Sequence, residues 1–189
     1  MSEIMFIKKH WWKMGIAFFT LFFMLIFMCC GGSSDHEEEA ITMEYLSSPL
    51  DVECTITSYF GYRIDPITNE PDEFHHGIDL SAPAGTEILA SADGVVYKVG
   101  YELDGLGNYV YIKHEIDNAT VYTIYGHMQD NSIVVDEGQK VKYHDKIGII
   151  GDTGRATGVH LHFQISKGKI SFKEEDLIDP IEIVSCKEA

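Results

Sequence analysis

Residues 108–128 read NYVYIKHEIDNATVYTIYGHM, and this stretch indicates the architecture of the chain. Two runs within it, 108–116 and 120–128, are rich in β-branched and aromatic residues and alternate in polarity, which is typical of half-buried strands. The segment EIDNAT between them supplies Asp and Asn, which β-turns prefer. The stretch therefore predicts a hairpin of two antiparallel strands.

The same pattern of short, strand-like runs extends over most of the chain after about residue 54. Further short runs with the composition of strands are divided by Gly, Asp and Asn, and no amphipathic helix separates them. These runs are 86–92, 94–102, 132–138, 145–151 and 159–166. The pattern predicts an all-β domain of antiparallel sheets, a small open sandwich or barrel.

Glycines at 138, 148, 151 and 154 divide very short strands, as they do in the small sandwich folds that carry biotinyl or lipoyl groups. Those domains present a modified lysine at a hairpin tip, beside a characteristic residue such as Met. Lys140 and Lys142 have no such neighbours. We therefore expect a shared architecture without the prosthetic group.

The first 30 residues form a targeting segment. The basic stretch KKHWWK, at 8–13, precedes 17 uncharged residues at 14–30, which is about the shortest apolar length that spans a membrane. The lysines on that side predict a cytoplasmic N-terminus, residues 1–13, followed by a retained transmembrane helix. A cleaved signal peptide and lipidation at Cys29 or Cys30 are alternatives, and all three would export the rest of the chain.

Residues 31–53 are polar and acidic and show neither helical nor strand periodicity, so we expect a flexible linker. The globular domain then covers 54–185. Cys54 and Cys186 stand near its two ends. They either pair, as cysteines do in an oxidising compartment, or remain two buried thiols.

The charge of the chain excludes one class of partner. Its 14 basic and 30 acidic residues give a formal net charge of −16. Three of the basic residues and one acidic residue precede residue 31, which leaves a net charge of −18 on the exported part. The phosphates of nucleic acid would repel such a domain, so we expect no nucleic-acid partner.

Three stretches contain histidines that could hold a metal. In HHGID, His75 and Asp79 are four residues apart, an even spacing that places them on one face of an extended segment. His160 and His162 share a face for the same reason, and His127 follows a glycine at the end of a predicted strand. Imidazole and carboxylate are good zinc ligands, although each motif alone also fits structural histidines. Four other histidines are expected to be solvated: His10, His36, His114 and His144.

The order of these motifs resembles that of the lysostaphin-like, or LytM-like, zinc peptidoglycan endopeptidases. The resemblance covers about residues 55–182 and includes SYFGYRIDPIT, HHGIDLSAPAGTEILASADGVV, YGHM and GVHLHFQI. It implies the lysostaphin-like fold, an all-β hybrid of the biotinyl and lipoyl type. It also implies hydrolysis of peptide bonds in the bacterial cell wall.

In that family the metal is held by the first histidine of HxxxD, by its aspartate and by the second histidine of HxH. The resemblance therefore implies one Zn²⁺ per domain, with His75, Asp79 and His162 as ligands and a fourth position left open. His127 and His160 match the two histidines that do not bind metal. They would divide proton transfer and oxyanion stabilisation between them, and which one acts as the base stays open.

These implications describe a membrane-tethered endopeptidase whose domain is extracellular or periplasmic, or secreted if the N-terminal segment is cleaved. Its substrate would be a peptidoglycan cross-link or stem peptide. Candidate walls of the substrate groove are GYRIDPITNEPDEF at 61–74 and GYELDGLGNY at 100–109. The alternative is a catalytically inactive module of the same fold that binds the cell wall or serves as a scaffold.

Overall fold

The structure is a computed structural model and describes residues 44–188. The described residues form 13 β-strands and two 3₁₀ turns. In chain order the strands are β1 (Thr55–Ser58), β2 (Gly61–Arg63), β3 (Glu73–His75), β4 (Ile78–Ser81), β5 (Glu87–Leu89), β6 (Gly94–Glu102), β7 (Gly107–Ile116), β8 (Ala119–Met128), β9 (Lys140–Val141), β10 (Lys146–Ile149), β11 (Leu161–Lys167), β12 (Leu177–Ile178) and β13 (Lys187–Glu188). The turns cover Glu174–Asp176 and Pro180–Glu182.

The hairpin predicted at 108–128 is present as β7 and β8. Asp117 and Asn118 join the two strands, with φ values of 48° and 69°. Two successive residues with positive φ are what a type I′ turn requires, and its twist matches that of the strands. Asp and Asn tolerate this conformation better than other residues with a side chain, so the turn sequence supports the register of the hairpin.

Nine of the strands form one sheet that contains this hairpin. Its order is β13-β1-β4-β11-β8-β7-β6-β9, and β12 pairs with β11 outside this path. Within it β13 runs parallel to β1, whereas the other neighbours are antiparallel. Two pairs, β5 with β10 and β2 with β3, form separate small sheets. The predicted all-β domain of antiparallel sheets is confirmed.

The alternation of side chains along β4 and β11 separates the core from the candidate site. Ile78 on β4 and Phe163 on β11 are fully buried in the main hydrophobic core. Their chain neighbours Asp79 and His162 point to the opposite face, because successive residues of a strand alternate. The same two strands therefore stabilise the fold on one side and present chemically active groups on the other.

The run 132–138, predicted as a strand, belongs to none of the described strands. Val134 N donates to Ile147 O at 3.1 Å, and Val135 is buried in the core. The valines give this segment the composition of a strand, but they pack as part of a loop. The prediction was wrong because burial of a loop requires the same apolar residues as burial of a strand.

His114 was expected to be solvated, and this prediction was also wrong. The side chain is fully buried. His114 follows Val110 and Ile112 at every second position of β7, so all three lie on the same buried face. Its Nδ1 lies 2.9 Å from Asp93 O and its Nε2 lies 2.8 Å from Thr123 Oγ1. Burial lowers the pKa of His114, so the ring is held neutral by the core.

The predicted N-terminal elements lie largely outside the described residues. These are residues 1–13, the transmembrane helix at 14–30 and most of the linker at 31–53. Among residues 44–188, no helix is long and apolar enough to cross a membrane. Leu46 and Leu50, from the last part of the predicted linker, are 6% and 3% exposed and pack into the main core. The folded domain therefore begins before residue 54.

Cys54 and Cys186 form a disulfide, with their Cα atoms 4.7 Å apart. Cys54 immediately precedes β1, and Cys186 immediately precedes β13. Because β1 and β13 are paired, the disulfide and the strand pair together join the two ends of the domain. The structure thus resolves the choice that the sequence left open between a bond and two thiols.

Candidate metal centre

Three strands position the predicted ligands. His162 on β11 lies directly opposite Asp79 on β4 in their antiparallel pair. His75 ends β3, and Gly77 lies in the short connection between β3 and β4. A Cβ atom on Gly77 would collide with the backbone carbonyl of Phe163, so only glycine lets this connection pass beside β11.

The candidate ligand atoms of His75, Asp79 and His162 all lie within 4.8 Å of one another. His75 Nε2 and His162 Nδ1 are 3.0 Å apart, and each is 3.1 Å from Asp79 Oδ1. Two imidazole nitrogens and a carboxylate oxygen that converge in this way suit a zinc ion. The donor set therefore fits the metal that the resemblance implies.

Asp79 is the anionic member of this group. Burial acts to raise the pKa of Asp79, but its contacts with His162 and His75 outweigh burial and hold the pKa well below the usual range for aspartate. The carboxylate is therefore ionised. Burial lowers the pKa of His162, so its imidazole is neutral and offers a lone pair.

His127 is held in an unusual backbone conformation near the end of β8, with a φ of 57°. Its backbone N donates to Leu106 O at 2.6 Å, and its ring Nδ1 lies 2.8 Å from Thr153 O. Because a carbonyl oxygen only accepts, Nδ1 bears the proton of the neutral ring and Nε2 is left free. Burial, followed by the nearby His162 and His160, lowers the pKa of His127 to about 4.

His160 stands beside His127, with the two ring centres 4.7 Å apart. Its Nδ1 lies 2.8 Å from Gly158 O, so by the same reasoning its Nε2 is free. That Nε2 is 3.7 Å from Asp79 Oδ1. The structure thus brings all five of the predicted site residues into one cluster.

Thr153 is a residue of the site that the sequence motifs did not single out. Its carbonyl anchors the ring of His127, and its hydroxyl bridges the start of β7 and the end of β8. A Cβ atom on Gly107 would collide with Thr153, and one on Gly154 would collide with Gly107. These two glycines have φ values of 61° and 72°, and they are the feature of the sequence that indicates how closely residues 153–154 approach the start of β7.

Arg63 is a second residue of the site that the sequence motifs did not single out. Its Nη1 lies 3.3 Å from Asp79 Oδ2, on the side of the carboxylate away from the histidines, and its Nε lies 3.3 Å from Glu73 Oε2. Arg155 then binds the other oxygen of Glu73 at 3.0 Å and also pairs with Asp65. This series of ion pairs connects a candidate ligand to the loop that follows β2.

The five site residues line a cleft of about 610 Å³. Both segments predicted as groove walls contribute to it, 61–74 through residues such as Arg63 and 100–109 through residues such as Leu106. A second cavity, of about 560 Å³, shares Asp79 and His160 with the first. The two cavities therefore adjoin at Asp79 and His160.

The family model described as peptidase family M23 matches residues 73–180. The chain belongs to this family. The predicted resemblance to lysostaphin-like endopeptidases is therefore confirmed, and members of family M23 are zinc-dependent metallopeptidases. The matched residues contain every member of the cluster, from His75 to His162.

Relatives in family M23 include cell-wall enzymes. The chain is 41% identical over 125 residues to the peptidoglycan DD-endopeptidase ShyC of Vibrio cholerae, an alignment that covers 66% of this chain and 27% of ShyC. It is 44% identical over 109 residues to the DD-carboxypeptidase/endopeptidase Mpg of Neisseria meningitidis, covering 58% of this chain and 24% of Mpg. The chain thus spans about a quarter of the length of these curated relatives.

Solved structures agree with the family assignment. A zinc-containing peptidase from Vibrio cholerae matches with a TM-score of 0.59 and 33% identity, over 72% of this chain and 39% of that one. The catalytic domain of lysostaphin from Staphylococcus simulans matches with a TM-score of 0.54 and 28% identity, over 66% of this chain and 86% of that one. The fold is thus shared with a lysostaphin catalytic domain.

Proposed function

We propose that this chain is an extracytoplasmic zinc endopeptidase that hydrolyses peptide bonds in bacterial peptidoglycan. The observation that supports it best is the convergence of three candidate ligand atoms within 4.8 Å, beside two histidines whose Nε2 atoms are free. The substrate class is supported by relatives such as ShyC, a peptidoglycan DD-endopeptidase by name.

In this proposal His75 Nε2, Asp79 Oδ1 and His162 Nδ1 hold one zinc ion. Three protein ligands leave a coordination position open, as catalytic zinc sites require. A bound zinc ion would supply Lewis-acid activation of the scissile carbonyl and of the attacking water. The ionised Asp79 would offset part of the charge of the metal.

We assign His127 as the general base. The Nδ1–H of this residue is held by Thr153 O, so its Nε2 presents a lone pair to the cleft. The lowered pKa of His127, about 4, keeps the ring neutral near pH 7. The ring would take a proton from the attacking water and return it to the leaving amine as the C–N bond breaks.

His160 would then act on the carbonyl side of the reaction. Its ring is anchored through Nδ1 to Gly158 O, and its Nε2 is free to face the substrate. With Nδ1–H held by Gly158 O, a second proton on Nε2 makes the ring cationic, and this Nε2–H would donate a hydrogen bond to the tetrahedral oxyanion, a contact that is strongest in the transition state. The two cavities that share Asp79 and His160 would hold the residues of the substrate peptide that flank the scissile bond.

The location outside the cytoplasm rests on two features. Residues 14–30 would anchor the chain in the membrane or direct its export. The disulfide between Cys54 and Cys186 is of the kind that persists in oxidising compartments. Both features favour a domain that works outside the cytoplasm.

The test is release of new amino groups when the full chain, purified in detergent, is incubated with peptidoglycan. We expect release from the wild type, loss of release with a zinc chelator and recovery when zinc is restored. His127→Ala should be inactive, whereas His144→Asn, a change at an exposed histidine outside the cleft, should be fully active. No release by the zinc-loaded wild type would refute the proposal and favour the non-catalytic wall-binding module.

A further inference from the structure

Gln164 is a fully buried residue of β11 whose two side-chain ends differ in their contacts. Its Nε2 donates to Ser171 O at 2.9 Å. Within the described part of the chain, its Oε1 is buried and has no hydrogen-bond partner. A buried carbonyl without a partner has lost its hydrogen bonds to water and gained none in return, so such an atom calls for a physical explanation.

The position of this oxygen relates it to His162. The two residues are separated by one residue along β11, so their side chains share the face that lines the cleft. Both side chains are buried, and Gln164 Oε1 reaches hydrogen-bond geometry with no partner in the part of the chain that the structure describes.

The proposed role of His162 leaves one of its nitrogens in need of an acceptor. Its Nδ1 is the atom near Asp79 Oδ1 and His75 Nε2, at 3.1 Å and 3.0 Å. If Nδ1 binds a metal, the proton of the neutral ring must be on Nε2. This Nε2–H would lie in a side chain that is only 8% exposed, where an N–H group needs a partner.

We propose that Gln164 is a positioning residue for the metal ligand: its Oε1 accepts a hydrogen bond from His162 Nε2–H and so holds the tautomer that offers Nδ1 to the metal. This inference rests on the proposed function, because it assumes that His162 is a ligand. Metal-bound histidines usually donate their second ring N–H to a carbonyl or carboxylate, and loss of that partner costs about 10–100-fold in affinity. The bond between Gln164 Nε2 and Ser171 O fixes which end of the amide is the donor and leaves Oε1 as the acceptor.

The alternative is that Gln164 serves only to hold Ser171. Two variants separate these roles, because both lose the donor to Ser171 O while only one loses the acceptor. Gln164→Met keeps the length of the side chain without an acceptor oxygen, whereas Gln164→Glu keeps acceptor oxygens without the amide donor. Gln139→Met, at an exposed glutamine, is the matched control for the substitution itself.

The first measurement is the zinc Kd of the full chain in detergent, by competition with a chromogenic chelator. We expect Gln164→Met to weaken zinc binding about 10–100-fold, and Gln164→Glu and Gln139→Met to remain within about threefold of the wild type. Wild-type affinity in Gln164→Met would overturn the inference, as would equal losses in the Met and Glu variants. A wild type that binds no zinc would instead refute the proposed function on which the inference rests.

The second measurement needs no variant and decides the case if Gln164→Met does not fold. Histidine-ring ¹⁵N–¹H spectra of the zinc-loaded wild type report which nitrogen of His162 bears the proton. We expect an Nε2–H signal that exchanges slowly with water, since it would be buried and hydrogen-bonded. A proton on Nδ1, or an Nε2–H that exchanges as fast as that of an exposed histidine, would overturn the inference.

Discussion

His162 lies directly opposite Asp79 in the antiparallel pair of β11 and β4, and its Nδ1 is 3.1 Å from Asp79 Oδ1. Both residues point away from the core because they alternate along their strands with residues that are fully buried in it: Ile78, Leu80, Leu161 and Phe163. The sheet that stabilises the domain therefore also fixes the distance between two candidate ligands. His160 precedes β11 and is not bound into that pair, so its role can be separated from that of His162 by experiment.

The first prediction is that the two histidines of HLH have different functions. His162→Ala should lose zinc, because it removes one of three candidate ligand atoms that lie within 4.8 Å of one another. His160→Ala should keep zinc and lose turnover by about 10²–10⁴-fold, the range expected for a group that moves a proton or stabilises the oxyanion. Metal content after dialysis and the rate of peptidoglycan hydrolysis check the two parts. Loss of zinc from both variants to the same extent would contradict this division.

The second prediction concerns Gly77, the residue between the candidate ligands His75 and Asp79. Gly77→Ala should destabilise the domain by about 1–3 kcal/mol and weaken zinc binding, because the new methyl group would collide with the backbone of Phe163 and displace β3 from β11. The free energy of unfolding in urea and the zinc Kd are the measurements. Gly158→Ala is the matched control, since a Cβ atom there meets nothing within 4 Å. Equal effects of the two changes would contradict the steric explanation.

Local chemistry explains why the β7–β8 hairpin could be predicted from the sequence. The period of two in 108–128 and the Asp117–Asn118 turn are both short-range signals, and the structure has the strands and the positive φ values that they require. His75, Asp79 and the pair of His160 and His162 could be singled out in the same way, because their residue types and even spacings are visible in single segments. The spacing did not distinguish His162 from His160 as the ligand. Their convergence could not be derived from spacing and came from the resemblance to a family.

The features that the sequence did not reveal depend on long-range contacts. Arg63 ends β2 and Asp79 lies on β4, so they meet only through the tertiary fold, and no local pattern in the sequence indicates such a pair. Thr153 anchors His127 across 26 positions of sequence. His114 is different, because the alternation with Val110 and Ile112 did place it on the buried face of β7. Its charged neighbours suggested solvent exposure, and the tertiary packing of the strand overrode that local composition.

The third prediction concerns the disulfide between Cys54 and Cys186. Replacement of both cysteines by alanine should lower the free energy of unfolding by about 2–5 kcal/mol, since the bond closes a loop with a sequence separation of 132. Urea unfolding of the full chain, followed by circular dichroism, measures the change. A reducing agent should lower the stability of the wild type to that of the double variant and leave the variant unaffected. If the reducing agent does not change the free energy of unfolding of the wild type, the bond does not stabilise the domain.

The fourth prediction is a loss of stability in mild acid that depends in part on His114. Burial lowers the pKa of this ring, so the unfolded chain takes up a proton at a pH where the folded protein does not. Stability must therefore be full above the ordinary histidine pKa of about 6.5 and fall as the pH drops below it. Burial also lowers the pKa of His127, to about 4, so this residue contributes in the same direction.

The variant His114→Asn isolates the contribution of the buried ring. At pH 7 it should be less stable than the wild type by about 1–3 kcal/mol, because at least one of the contacts with Asp93 O and Thr123 Oγ1 is lost. Between pH 6.5 and pH 5 its free energy of unfolding should fall less steeply than that of the wild type, by up to about 1.4 kcal/mol per pH unit for one proton. Urea titrations of the metal-free proteins at several pH values measure both slopes. Parallel slopes would mean that His114 is protonated as readily in the folded protein as in the unfolded chain, which a ring buried in the core does not permit.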